Sequence, residues 1–129
     1  MLELKVATKI RGKTAGDDWT IRRDVVNIPI GQSLSDAWLT VKEQIEDLDA
    51  AAKIQKHITS VDVPGVGQIE VAGTSGTGTI RFDLIPADTV LLQPHVTYYY
   101  DIQVKTTTGK YNTPDDGTII ALPQITQAT

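Results

Sequence analysis

The stretch Leu92-Gln-Pro94-His-Val96-Thr-Tyr98-Tyr99-Tyr100-Asp-Ile102-Gln-Val104 limits the fold more than any other part of the chain. Val96, Tyr98, Tyr100, Ile102 and Val104 share one phase of a period-two pattern, while Thr97, Tyr99, Asp101 and Gln103 occupy the other. Successive side chains of a strand point to opposite faces, so this is a strand with one dry and one wet side. Tyr98 and Tyr100 then face the core. Tyr99 and Asp101 face outward and are candidate contact residues.

The rest of the chain repeats this theme in short pieces. Leu2, Leu4 and Val6 alternate with polar neighbours, as do Trp19, Ile21, Arg23 and Val25, and Ala37, Leu39 and Val41. In that last strand Trp38, Thr40 and Lys42 take the outer phase. Ile54 to Ser60, Gln68 to Ala72 and Ile80-Phe82-Leu84 read as further strands, and Thr118 to Leu122 as the last. Glu46 to Lys53 carries enough Ala, Leu and Glu for one or two helical turns linking strands, with Asp47 or Asp49 as cap. Pro86 can start another turn. Gly73 to Gly78, Thr106 to Lys110 and Pro114-Asp-Asp-Gly117 read as turns. Turn signals every eight to twelve residues and no long helical period point to an all-β sandwich or small barrel. Seventeen threonines among 129 residues agree with that, because β-branched side chains favour pleated surfaces.

The expected core is Val6, Trp19, Ile21, Val25, Leu39, Val41, Ile54, Ile58, Ile80, Phe82, Leu84, Leu92, Tyr98, Tyr100, Ile102, Val104 and Ile120. A chain of this length fits one domain, expected over residues 1–123, with 124–129 as a polar tail.

The composition narrows function by exclusion. With no cysteine, neither a disulfide framework nor a thiolate metal site can form. A formal charge of −4 without a Lys/Arg cluster argues against nucleic-acid binding through phosphate neutralisation. No apolar run approaches the ~20 residues of a membrane span, and Met1-Leu-Glu-Leu-Lys has charges where a signal peptide needs apolar residues. A soluble protein made inside the cell is expected.

Motifs that suggest chemistry each lack a part. Gly12-Lys13-Thr14 ends like a phosphate-binding loop, but the required earlier glycine is Ala7. Gly73-Thr-Ser-Gly76-Thr-Gly78 precedes a period-two strand, not the helix that would hold a phosphate. His57 and His95, the only histidines, show no ligand spacing with Asp62 or Asp101. A calcium loop starting at Asp47 would need glycine at Ala52. No serine lies in Gly-x-Ser-x-Gly. No enzyme, cofactor or metal is expected. Trp38, on the outer phase, serves equally as a partner or sugar platform or as a ring covered by a loop.

Leu92-x-Pro94-x-x-x-Tyr98 resembles the tyrosine corner of fibronectin type III domains, with Val96 where threonine is usual. This resemblance implies an immunoglobulin-like or fibronectin type III-like β-sandwich, in which the Tyr98 hydroxyl bonds to backbone a few residues upstream. A wider likeness runs through Gly16-Asp-Asp18-Trp19, Leu34 to Lys42, Ile54-Gln-Lys56, Leu84-Ile-Pro86-Ala87-Asp88-Thr89 and Tyr99 to Val104. Together these resemble small tailed-phage virion proteins related to the immunoglobulin-like N-terminal domain of the phage baseplate upper protein. That resemblance implies a non-enzymatic piece of a baseplate, tail or capsid surface, made in the host bacterial cytoplasm and located in the virion. Its partners would be other virion proteins, with a homo-oligomer or repeated copies in the particle and neither nucleic acid nor membrane. The alternative reading is a carbohydrate-binding or adhesion module using Trp38 and the Tyr99 face.

Overall fold

The computed structural model describes residues 13–44, 46 and 51–123. The opening strand at Leu2, Leu4 and Val6, the capping positions Asp47 and Asp49 of the linking helix, and the 124–129 tail lie outside the described residues.

Among the described residues, seven strands and one helical turn follow in order: β1 Trp19–Val25, β2 Leu34–Lys42, β3 Ile54–Ile58, β4 Gly67–Val71, β5 Gly78–Leu84, α1 Pro86–Thr89, β6 Thr97–Thr106 and β7 Tyr111–Ile120. They form two antiparallel sheets, β1-β5-β4 and β3-β2-β6-β7. The chain changes sheet between β1 and β2, between β3 and β4, and between β5 and β6. With β1, β5 and β4 in the places of strands B, E and D, and β3, β2, β6 and β7 in those of C′, C, F and G, this is the order of an immunoglobulin-like sandwich.

The core lies between the sheets and follows from alternation. Trp19, Ile21 and Val25 of β1, Ile80, Phe82 and Leu84 of β5, and Ile69 of β4 supply one inner face. Ala37, Leu39 and Val41, Ile54 and Ile58, and Tyr98, Tyr100, Ile102 and Val104 supply the other. The Trp19 indole N–H donates to the Thr14 carbonyl at 2.8 Å, so the buried ring leaves no polar atom unsatisfied. Gly67 is required by crowding. Its φ is +131°, and a Cβ there would collide with the Arg81 carbonyl oxygen.

The corner before β6 closes on itself. The Tyr98 hydroxyl accepts the Gln93 backbone N–H at 2.9 Å, and Leu92 is buried beside it, while Pro94 stays exposed. One hydrogen bond thus ties the loop from α1 to the start of a central strand. At the other side Asp88 accepts the Ile85 N–H at 3.0 Å and pairs with Lys56 at 2.8 Å, fastening α1 to β3.

Two sequence expectations are corrected at the C-terminal end. Pro114-Asp-Asp-Gly117 is not a turn but the middle of β7. Among the described residues β7 is an edge strand, where a missing N–H costs no ladder bond. The register also shifts there by one residue, since Ile102 faces Asp115 but Val104 faces Asn112, and this bulge accommodates the proline. Ile120 is not in the core. It is 47% exposed, and Ile119 is buried instead. Ile119 lies directly opposite inward-facing Tyr98, and cross-strand partners share a face. The buried residues Ile28, Leu34, Ala37, Ile69 and Ala121 complete the core beyond the expected set.

Candidate protein-contact face

The outer faces of the two sheets differ in kind. On β1-β5-β4, Arg22 and Arg81 stand directly opposite each other, an arrangement that repels. Glu70 bridges them, accepting from Arg22 at 2.7 Å and from Arg81 at 3.1 Å, and Arg81 also reaches Asp62 at 2.7 Å and Asp83 at 3.1 Å. The Arg22 hydrogen bond leads in holding the Glu70 carboxyl below its usual range, against a partial burial that raises it, with Arg81 adding to the effect. The charges of this face are spent on one another.

The outer face of β3-β2-β6-β7 is built in rows fixed by register. Lys42, Tyr99 and Thr118 form one row, and Gln55, Thr40, Asp101 and Asp116 the next. His57, Trp38 and Gln103 form a third, and Asp36, Lys105 and Tyr111 a fourth. Trp38 stacks on His57 with ring centroids 4.8 Å apart and planes 7° apart, and on Tyr111 at 6.0 Å and 29°. His57 comes from the strand on one flank of β2 and Tyr111 from the far flank, so both faces of the indole are covered and its rim is presented outward. Asp36 accepts from His57 at 2.8 Å, and the Lys105 ammonium lies 5.5 Å from the Tyr111 ring centre. Burial opposes ionisation of Asp36, but hydrogen bonds from His57 and Ser35 outweigh it and hold its carboxyl below the usual range.

Beside this aromatic ladder the face sinks. Small, buried Thr40 forms a floor, with Gln55 donating to its hydroxyl at 3.3 Å. One cleft of about 290 Å³ is lined by Thr40, Lys42, Tyr99, Asp101, Asp116 and Thr118 among others. A second of about 250 Å³ is lined by Trp38, Thr40, Gln55, Asp101 and Gln103. They share Thr40 and Asp101 and so form one groove across the strands. The three contact residues expected from sequence, Trp38, Tyr99 and Asp101, all line it. Sequence reasoning missed His57 and Tyr111 as the ladder's other rungs, and it placed Asp116 in a turn. Tyr111 was legible by pairing back from the Thr106–Lys110 turn onto Lys105. The Asp116 position was hidden by the bulge.

Behind the groove a polar strut joins the sheets. Asp115 is buried, accepts from the Tyr100 hydroxyl at 3.1 Å and lies 3.6 Å from the Arg23 guanidinium across the sandwich. Burial, more than its partners, pushes the Asp115 carboxyl up. Burial and then the Asp115 charge push the Tyr100 hydroxyl up to about 12. Gly117, facing Tyr100, leaves room for that ring, since a Cβ there would lie 3.2 Å from it. Among the described residues no three His, Asp or Glu side chains gather as a metal site, and no helix is long and apolar enough to cross a membrane.

No protein-family model and no curated protein matches this chain. Among solved structures, it is similar to Astrotactin-2, a vertebrate-specific and perforin-like membrane protein involved in neuronal development, at 14% identity and a TM-score of 0.46. That match covers 96% of this chain and 23% of the other, so the chain spans under a quarter of its neighbour's length. It is also similar to murine CRIg at 13% identity and a TM-score of 0.38, covering 94% of this chain and 96% of that one. Likeness at this level carries no information about role.

Proposed function

We propose that this chain is a non-enzymatic structural domain of a tailed-phage virion that binds another virion protein through the outer face of β3-β2-β6-β7. The observation that carries the binding reading is the contrast between the two outer faces. One is closed by Arg22, Glu70, Arg81, Asp62 and Asp83 pairing among themselves. The other offers a stacked ladder, preorganised by its neighbours, beside a groove. Rigid aromatic side chains lose little entropy on association, which suits them as interface anchors. The virion setting rests on the sequence resemblance from Gly16 to Val104. A sugar platform would use an open indole face, and both faces of Trp38 are stacked. That favours a protein partner over a glycan.

A photoreactive amino acid at position 99 or, as control, at the exposed Thr20 of the opposite sheet tests this in phage-producing cells. The expected result is an adduct with a virion protein from position 99 only, and the chain itself in purified particles by mass spectrometry. Adducts from position 20 alone would overturn the choice of face, and absence from particles would overturn the virion setting.

A further inference from the structure

Three connections at one end of the sandwich carry no charge. Between Asp24 and Asp36, between Glu70 and Arg81, and between Lys105 and Lys110 the chain runs through eleven, ten and four uncharged residues. These runs hold the β1-β2, β4-β5 and β6-β7 connections. In a chain that is 22% charged, three neighbouring loops without one charge are a strong bias, and depletion of charge marks the core of protein interfaces.

Hydrogen bonds make the three loops one braced unit. The Ile28 N–H donates to the Gly76 carbonyl at 2.9 Å, the Ser75 N–H to the Gln32 carbonyl at 3.0 Å, and the Thr107 N–H to the Ser33 carbonyl at 2.9 Å. At the tip, Pro29-Ile30-Gly31-Gln32 closes a turn through the Gln32 N–H and the Pro29 carbonyl at 3.1 Å. The Gly31 N–H of that turn donates to the Ser75 hydroxyl at 2.8 Å. Asn27 and Ser75 are two of the three non-glycine residues with positive φ among the described residues, a conformation kept only where the surroundings over-determine it. The side chain at the tip is Ile30, 92% exposed. A lone exposed isoleucine is ordinary on a surface, but one fixed on a braced, uncharged tip has little freedom left to lose on binding.

The chemistry of these loops points to the partner. Their exposed side chains include Asn27, Thr74, Ser75, Thr77, Thr107 and Thr108, whose amide and hydroxyl groups both donate and accept, whereas a carboxylate only accepts and an ammonium only donates. A surface of such groups is complementary to its own copy. Copies with a formal charge of −4 repel one another, and these loops let them touch with no charge set against a like charge. We propose that two copies of this chain meet end to end through these loops about a two-fold axis, with Ile30 packed against Ile30. A two-fold contact uses the same patch on both subunits, which is what self-complementarity supplies. Three loop tips offer fewer than the roughly 20–30 residues a side of a stable interface, so the contact is weak in dilute solution and fills where copies are held close. It is separate from the outer face of β3-β2-β6-β7, and each contact stands or falls alone.

The chain has no cysteine, so Ile30→Cys and Val90→Cys each give a single thiol. Val90 is 64% exposed and lies just after α1, between β5 and β6, at the opposite end. With an oxidant and the full chain at about 0.1–1 mM, the range of a weak contact, the disulfide dimer should form at least about tenfold faster from position 30 than from position 90. In the wild-type chain, raising the concentration over that range should move the Asn27, Ile30, Ser75 and Thr108 amides in NMR spectra. The movement should vanish in Ile30→Lys and persist at about 1 M salt, where contacts between charges are screened. Equal oxidation rates, amides indifferent to concentration, movement unchanged in Ile30→Lys, or movement lost at high salt would overturn the end-to-end contact.

Discussion

Replacing Asp115 with alanine gives the sharpest test of how the two sheets are joined. The Asp115 carboxylate is 6% exposed and carries two contacts, a hydrogen bond from Tyr100 at 3.1 Å and the Arg23 guanidinium at 3.6 Å. A hydrogen bond to a charged acceptor contributes about 1.5–3 kcal/mol, and removing one member of a buried pair costs about 3–5 kcal/mol because the other is left desolvated. Asp115 itself resists ionisation through burial, so part of its pairing energy goes to offsetting that penalty. The lower end, about 3 kcal/mol, is therefore expected for Asp115→Ala. Tyr100→Phe should cost about 1.5 kcal/mol, since Asp115 keeps Arg23. In the double variant the hydroxyl and its acceptor leave together, so the loss should fall short of the two singles by about 1 kcal/mol or more. Urea denaturation followed by fluorescence of buried Trp19 measures all three. Additive losses, or an Asp115→Ala loss below about 0.5 kcal/mol, would refute the strut and make this contact incidental to stability.

Two further outcomes follow from the same strand. Tyr98→Phe removes the acceptor for the Gln93 N–H and should cost about 1 kcal/mol with the sheets intact; an unchanged unfolding midpoint would remove the corner's structural role. In alkali, Tyr100 keeps its proton in the fold up to about 12 against an ordinary 10.0, so the unfolded chain binds fewer protons between those values and stability must fall as pH rises through them. Tyr100→Phe should lose less stability than wild type from pH 10 to 12, and parallel urea midpoints would contradict this.

Most of the sandwich could be read from alternation, because a half-buried strand writes its burial directly into the sequence. β1, β2, β5 and β6 were each visible in this way, and the corner was visible in the spacing of Leu92, Pro94 and Tyr98. β7 was not. Its proline and glycine imitate a turn, and its bulge breaks the period, so Ile119 and Ile120 exchanged roles until the pairing with Tyr98 fixed their phase. The contact face was half legible. The outward phase of Trp38, Tyr99 and Asp101 was plain, but the His57-Trp38-Tyr111 ladder depends on residues brought together from three strands. No local period encodes which rings end up side by side.

Pro114 bears on how copies of the chain can sit together. It interrupts the row of backbone donors halfway along β7, and the adjacent bulge twists that row out of line. An incoming strand cannot zip along β7 for its full length, so the sheet does not extend freely from this edge. Here strand pairing is discouraged, and contacts between faces, where side chains choose the partner, are favoured over it. The residue that looked like punctuation in the sequence makes association at this edge selective.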